Sequence, residues 1–480
     1  MKTRFLLAAL PLALVCGSLA AQDVFEFHGY VRANAGRDSN GGELTSFYMP
    51  GCINNPTGGP GYRLGNESDN YMELAEDVRA YDKGNEAFKL HFREAYREWN
   101  GARDASVDAG GAPNYSYGNT TNQAVWVREA WGEADGMLGN SSLLSTADVW
   151  IGRRFYQRKD LHVIDYYYWN NSGDGFGIEN INLGFAKAHY AYIQADTGNL
   201  NASWDGGLNT NVTVPDPTSA TGTRTISVSV GSHFQNGQLT SDTYNTNGAV
   251  VVGAHDLRLT DMSLWANSSF TAGFQYNEPS IRKSTLGSNG YLNHGGRQFR
   301  LEWDQGKILG GDNKLYITQG DGSTFWNWYN PEVSTKNNWM QIFDNLFIQP
   351  TKEFGMNVLL MRRVQHETAP GNGDPWRDMT WNSMGIRPSY AFTKHLSVTG
   401  EIGYDRFFVT GDAEWRTMLK KTVALQISPT ESWWSRPVLR FFVTHANWNQ
   451  AATNWGTPEG MGTTGALWGT SFGAQLEAWW

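Results

Sequence analysis

The side chains here that could do chemistry are mostly aromatic and charged. The 10 histidines are scattered, with no HExxH and no clustered metal-ligand spacing. Asp and Glu pairs abound, as in any long chain, so a glycosidase-type carboxylate dyad stays open on sequence alone. Aromatic residues make up 14% of the chain, with 21 Trp and 21 Tyr. That excess suits two jobs: girdles at a membrane interface and flat surfaces for sugar rings. A pyranose has apolar C–H faces that stack on aromatic rings and a hydroxyl rim that hydrogen-bonds Arg, Asp, Glu and Tyr. A net charge of −9 argues against nucleic acid as a partner.

The elements that must position such side chains are short alternating strands. Phe25, Phe27, Gly29 and Val31 share one face, and Glu26, His28, Tyr30 and Arg32 the other. Leu396, Val398, Gly400, Ile402 and Tyr404 alternate with Ser397, Thr399, Glu401 and Gly403. Period alone does not separate a sandwich strand, whose polar face meets solvent, from a porin strand, whose polar face meets an aqueous lumen. Polar segments rich in Gly, Asn, Ser and Thr at 38–60, 100–122, 199–222 and 234–248 favour the barrel, because soluble domains rarely carry several loops so long.

The two ends of the chain agree. Lys2 and Arg4, the apolar run Phe5–Val15 and Ser18-Leu19-Ala20 read as a cleaved signal peptide over residues 1–20, leaving 21–480 as one domain. Val15 is too bulky for a lipidation box before Cys16, and Cys52 is then the only mature cysteine, so no intrachain disulfide forms. No later apolar run approaches the roughly 18 residues of a membrane helix. Phe472, Ala474, Leu476, Ala478 and Trp480 form a final period-2 strand with an aromatic carboxyl terminus, as outer-membrane barrels have. About 460 residues accommodate 16 or 18 strands at roughly 26–29 residues each. The competing class is a secreted carbohydrate-binding or glycan-cleaving β protein.

Several segments resemble the maltoporin family of sugar porins. They are Phe27–Arg32 (FHGYVR), Tyr62–Glu67 (YRLGNE), the long run Arg153–Trp169 (RRFYQRKDLHVIDYYYW), Gly385–Pro388, Glu401–Asp405, Trp434–Pro437 and the terminal Phe472–Trp480. They occur in family order, while residues from about 170 to 350 match poorly. The resemblance implies an all-β, 18-stranded antiparallel transmembrane barrel in a Gram-negative outer membrane, assembled as a homotrimer. It implies a third loop folded into the lumen, no cofactor, and facilitated diffusion of maltose and maltodextrins. A porin for another oligosaccharide, or a weakly selective one, is the alternative.

By the same resemblance an aromatic slide falls on Tyr30, Tyr71, Trp434 and Trp479. A polar track falls on Arg32, Arg63, Glu73, Arg128, Arg158, Asp160 and Asp165, and Tyr167 is the steric block at the constriction. Parity supports the slide: Tyr30 shares a face with Arg32, Tyr71 with Glu73, and Trp479 with Glu477 and Gln475. Trp434 shares parity with Arg440 if its strand extends that far. Asp312 stands where the family has a slide Phe, which implies an interrupted slide and an added carboxylate. Trp99, Tyr115 and Tyr117 are candidates for an aromatic offered to a neighbouring subunit. The family's first loop carries a disulfide; Cys52 matches one partner and Ser68 replaces the other, so this loop is expected to lack the staple.

Overall fold

The structure is a computed structural model that describes residues 24–42, 44–49, 61–99, 123–196, 210–215, 223–228, 232–235, 238–241, 251–278, 295–327, 337–366, 378–454 and 466–480. Eighteen strands form one antiparallel sheet in which each pairs with its sequence neighbours and the first pairs with the last, closing a barrel. They are β1 (Phe25–Asp38), β2 (Asp69–Lys83), β3 (Glu86–Trp99), β4 (Gln123–Asp135), β5 (Asp148–Arg154) and β6 (Gly173–Asn182). Next come β7 (Lys187–Asp196), β8 (Val251–Met262), β9 (Ser268–Asn277), β10 (Gly296–Ile308), β11 (Gly311–Asp321) and β12 (Asn338–Ile348). The last six are β13 (Phe354–His366), β14 (Asp378–Ala391), β15 (Leu396–Val409), β16 (Arg416–Ile427), β17 (Val438–Trp448) and β18 (Trp468–Trp479).

Burial decides what period alone left open. On β15 the polar Glu401 is 2% exposed while its neighbour Ile402 is 50% exposed. A soluble sandwich would show the reverse, since its apolar face is the buried one. The apolar face of this barrel looks outward along strand after strand, as at Leu301, Leu360, Val423 and Phe441, and the polar face looks inward. No helix among the described residues is long and apolar enough to cross a membrane. The spanning elements are strands, and closure leaves no unpaired sheet edge for lipid to face.

The apolar core sits inside the lumen, where two segments fold inward against the wall. One lies between β5 and β6, with a hairpin of Lys159–Leu161 and Tyr166–Trp169. Its Leu161, Ile164, Tyr166, Tyr168 and Trp169 join a cluster with Tyr316, Phe343, Leu359 and Trp381 from the wall. Tyr168 meets Tyr316 and Phe343 edge-on at 4.8 Å each. This is the inward-folded loop expected from the sequence.

The second inward segment, residues 44–49 and 61–68 between β1 and β2, was not foreseen to fold inward, although its Arg63 was placed in the polar track. Phe47, Met49 and Tyr62 belong to the same cluster, and Leu64 packs on Phe442. The backbone of Gly385 and Gly403 makes room for the Tyr62 ring: a Cβ there would lie 2.0 and 1.8 Å from ring carbons. Ser46 and Ser68 are hydrogen-bonded through their hydroxyls at 2.9 Å. Residues 1–20, Cys52, Tyr115 and Tyr117 lie outside the described residues, as does the side chain of Trp99.

Candidate lumen binding site

A cavity of about 610 Å³ lies inside the barrel. All twelve residues singled out from the sequence line it: Tyr30, Tyr71, Trp434 and Trp479; Arg32, Arg63, Glu73, Arg128, Arg158, Asp160 and Asp165; and Tyr167. Asp69, His162, Val163, Asn345 and Asn357 complete the lining.

Strand parity positions three of the aromatics. Tyr30 on β1 is registered opposite Glu73 on β2 and opposite Trp479 on β18, so β1 brings its neighbours' lumen-facing groups together. The Tyr30 and Tyr71 rings lie 6.0 Å apart. Trp434 gets there differently. It precedes β17, which starts at Val438, so the parity argument with Arg440 does not apply. The turn between β16 and β17 carries it inward instead, and its ring packs on Trp433 at 4.5 Å and Phe347 at 5.7 Å. Trp434 is 41% exposed and Trp479 36%, so broad ring surface remains open to the lumen.

The charges are held by one another. The Arg32 guanidinium donates to Glu67 and Asp69, at 2.5 Å each, and lies 5.7 Å from the Tyr71 ring centre. Arg63, on the inward segment, donates to the Tyr30 hydroxyl at 2.8 Å and to Glu477 at 2.9 Å. Glu73 accepts from the Tyr71 hydroxyl and from Arg93 at 2.9 Å, and meets Arg158 of the inward loop at 3.4 Å. Arg158 in turn donates to the Tyr167 hydroxyl at 2.6 Å, with its guanidinium stacked 4.4 Å over that ring and 4.2 Å over Phe155. Wall, loop and Tyr167 are thus one connected network, which fixes donors and acceptors in place before any ligand arrives.

Asp165 takes a left-handed conformation (φ 49°) at the loop tip and lies 4.0 Å from Arg63, with its side chain partly open to the lumen. Asp160 faces the same space. Burial and the nearby Asp165 carboxylate raise its pKa above the usual carboxylate range, and Arg63 and Arg158 oppose that shift. Arg128 lies near Phe155, 5.2 Å from the ring centre.

His162 is a lining residue that the sequence reading missed. Its ring lies 5.2 Å from Trp434 and 5.9 Å from Trp479, joining the two tryptophans into one surface. Its Nδ1 sits 3.2 Å from an Arg63 nitrogen, so Nδ1 is the acceptor. Burial, with Arg63 beside it, holds the His162 pKa well below its ordinary value. The residue lay inside the recognised run Arg153–Trp169; nothing in its spacing separated it from a packing histidine. Asp312 shares lumen parity with Lys314 and Tyr316, and directly across from it on β12 stands Phe347. An aromatic therefore remains at that level, one strand over, packed against Trp433 and Trp434.

The arrangement offers ring faces beside fixed donors and acceptors in one cavity of the lumen. Among the described residues one His–carboxylate cluster, Glu26, His28 and Asp77, has metal-like spacing. His28 already faces both carboxylates, at 3.4 and 3.6 Å, and the group is substantially exposed, as an ordinary lumen ion-pair cluster is.

The LamB porin family model matches residues 25–480. Among solved structures, the chain is similar to OccAB2 of Acinetobacter baumannii, with 11% identity, 95% of this chain and 98% of the other covered, and a TM-score of 0.47. It is also similar to a BenF-like porin of Pseudomonas fluorescens (8%, 96% and 99%, 0.48) and to OpdK of Pseudomonas aeruginosa with vanillate (9%, 95% and 99%, 0.45).

Proposed function

The chain belongs to the LamB porin family, and we propose that its channel passes maltose and maltodextrins by facilitated diffusion along the aromatic line. It is an outer-membrane transport channel; the choice of sugar is the inference. One observation carries it: five aromatics and seven charged residues picked out by sequence converge on a single lumen cavity. In this reading Tyr71, Tyr30, Trp479 and Trp434 stack on successive sugar faces. Arg32, Arg63, Glu73, Arg128, Arg158, Asp160 and Asp165 exchange hydrogen bonds with the hydroxyl rim, and Tyr167 narrows the passage.

The physics favours a slide over a trap. Each contact is weak and resembles the next, so a ring leaving one aromatic face gains the neighbouring one. Arg32, Arg63, Glu73 and Arg158 are already paired with protein groups, so little ordering of these side chains is left for the ligand to impose. Residues 1–20 serve as a removed export signal, residues 21–480 form the barrel, and three copies assemble in the outer membrane.

A channel for another oligosaccharide is the second reading, and Asp312 favours it, since a carboxylate faces the lumen beside Lys314. Planar-bilayer reconstitution tests both. Stepwise, saturable closure of the ion current by maltotriose, weaker with sucrose, supports the maltodextrin reading. A current indifferent to maltotriose removes that specificity and leaves the barrel in place.

A further inference from the structure

Six neighbouring inward side chains on β12 and β13 form a patch of the lumen wall. Phe343 is registered opposite Met361, Asn345 opposite Leu359 and Phe347 opposite Asn357. Phe343, Phe347, Leu359 and Met361 belong to the buried apolar cluster. Asn345 and Asn357 are therefore two carboxamides set into an otherwise apolar patch, and both line the cavity. Its other polar lining groups are charged side chains, phenols, indoles and one imidazole.

Asn357 is 4% exposed, and its Oδ1 has no hydrogen-bond partner among the described residues. An unpaired buried carbonyl oxygen is costly, and a leucine at this position would extend the apolar patch without that cost. The charged neighbours are committed elsewhere. Arg387, registered opposite Asn357 on β14, donates to Glu401 at 2.6 Å and to the Val163 carbonyl at 3.2 Å. Lys314, registered opposite Asn345 on β11, is paired with Asp304 at 2.8 Å and Glu302 at 3.3 Å.

A carboxamide that the protein leaves unpaired at a cavity wall suits a neutral hydroxyl. It accepts through oxygen and donates through nitrogen, and a half-turn about χ2 exchanges the two ends with little change of shape. A hydroxyl also donates and accepts, so either end of the amide has a match. Phe347, opposite Asn357 in the register, packs on Trp434 at 5.7 Å, so the amide stands one ring away from an open stacking face. Asn345 is the diagonal neighbour of Asn357, roughly 7–8 Å away across the strand pair, so one sugar can meet both.

We infer that Asn357, with Asn345 beside it, reads the hydroxyls of a neutral oligosaccharide whose ring stacks on Trp434. The inference rests on the sugar-channel reading above and adds two specificity-determining residues to it. Asn357→Leu in the full-length barrel tests it by titration of the ion current with maltotriose. Heat-modifiable migration reports folding separately. The half-saturation concentration is expected to rise about three- to tenfold, the range of one neutral hydrogen bond exchanged with water. Heat stability is expected to stay level or rise, because the variant removes an unpaired buried group. Monodeoxy maltotrioses locate the partner: at least one is expected to bind the wild type about three- to tenfold more weakly than maltotriose, and Asn357→Leu no more weakly.

An unshifted half-saturation in Asn357→Leu would overturn the proposal, as would deoxy losses that are the same in variant and wild type. Loss of affinity together with loss of heat stability would also overturn it, since the amide would then be part of the wall's own packing. If Asn357→Leu fails to fold, Asn357→Ala, which adds no bulk, and Asn345→Ala at the half-buried position carry the same comparison. If the wild-type current ignores maltotriose, sucrose replaces it as the probe. Indifference to both sugars overturns the amide site together with the sugar reading, whereas wild-type closure with an unshifted variant overturns the amide site alone.

Discussion

Tyr30 on β1 is registered directly opposite Trp479 on β18, so the strand pair that closes the barrel also brings together two of the aromatics that line the lumen cavity. The Tyr30 hydroxyl donates to Glu477 at 3.3 Å and accepts from Arg63 at 2.8 Å. Removing either ring removes one stacking face without touching the outer belt. Trp479→Ala is expected to weaken maltotriose closure of the current by about two- to tenfold, from a stacking contribution of about 0.5–1.5 kcal/mol. Tyr30→Phe keeps the face and loses the hydroxyl, so it should fall between Tyr30→Ala and the wild type. Equal loss in both Tyr30 variants would show that the hydroxyl, and not the ring, matters there.

Tyr167 is held by Arg158 through a 2.6 Å hydrogen bond and a stacked guanidinium, while Arg158 also reaches Glu73 on the wall. Tyr167 is therefore fixed from behind. Tyr167→Ala is expected to raise ion conductance by roughly a factor of two, since conductance follows the open cross-section at the narrowest point. Arg158→Ala should raise current noise along with conductance, because Tyr167 then loses its hydrogen-bond and stacking partner. Single-channel traces of both variants read this directly, and an unchanged Tyr167→Ala conductance would place the constriction elsewhere.

What the sequence made legible follows from where period 2 applies. Tyr30, Tyr71 and Trp479 lie within strands, and their parity with Arg32, Glu73 and Glu477 located them in the lumen. Trp434 lies in a turn, so its position depends on contacts with Trp433, Phe347 and His162 that no periodicity encodes. The inward segment carrying Tyr62 and Leu64 was illegible for the same reason: its apolar residues face a lumen wall built from strands hundreds of residues away. Which polar face was buried also required the closed barrel, since an alternating strand reads the same in a sandwich.

The Tyr62 ring lies over the backbone of Gly385 and Gly403, and its hydroxyl pairs with Ser383 at 3.1 Å. Each glycine is the place where a wall strand yields to the inward segment. Gly403→Ala is expected to push Tyr62 off the wall, at a cost of about 1–3 kcal/mol from overpacking. The segment also carries Arg63, which would move away from Tyr30 and Glu477. The variant should therefore lose heat stability of the folded barrel and lose maltotriose affinity together. Tyr62→Ala in the Gly403→Ala background relieves the clash, so partial recovery of heat stability is the second expected result. Gly403→Ala behaving like the wild type in both assays would mean that the segment is not anchored through Tyr62.

Ser46 and Ser68 face each other at 2.9 Å across the base of that segment. Here the two hydroxyls join that stretch of chain by a hydrogen bond. The side chains already point at one another, and two thiols in their place are within the reach a disulfide needs. Ser46→Cys with Ser68→Cys is expected to be oxidised by the disulfide-forming machinery of the export compartment, giving a mass loss of two hydrogen atoms that reductant reverses. The bridge would close a loop of about 22 residues and stabilise the inward fold by about 2–4 kcal/mol in the chain-entropy account. Heat-modifiable migration should shift to higher temperature, while the maltotriose half-saturation stays where it was, because neither serine lines the cavity. A double variant that stays reduced, or one that pairs with Cys52 instead, would show that residues 44–49 and 61–68 do not meet in the way the Ser46–Ser68 contact requires.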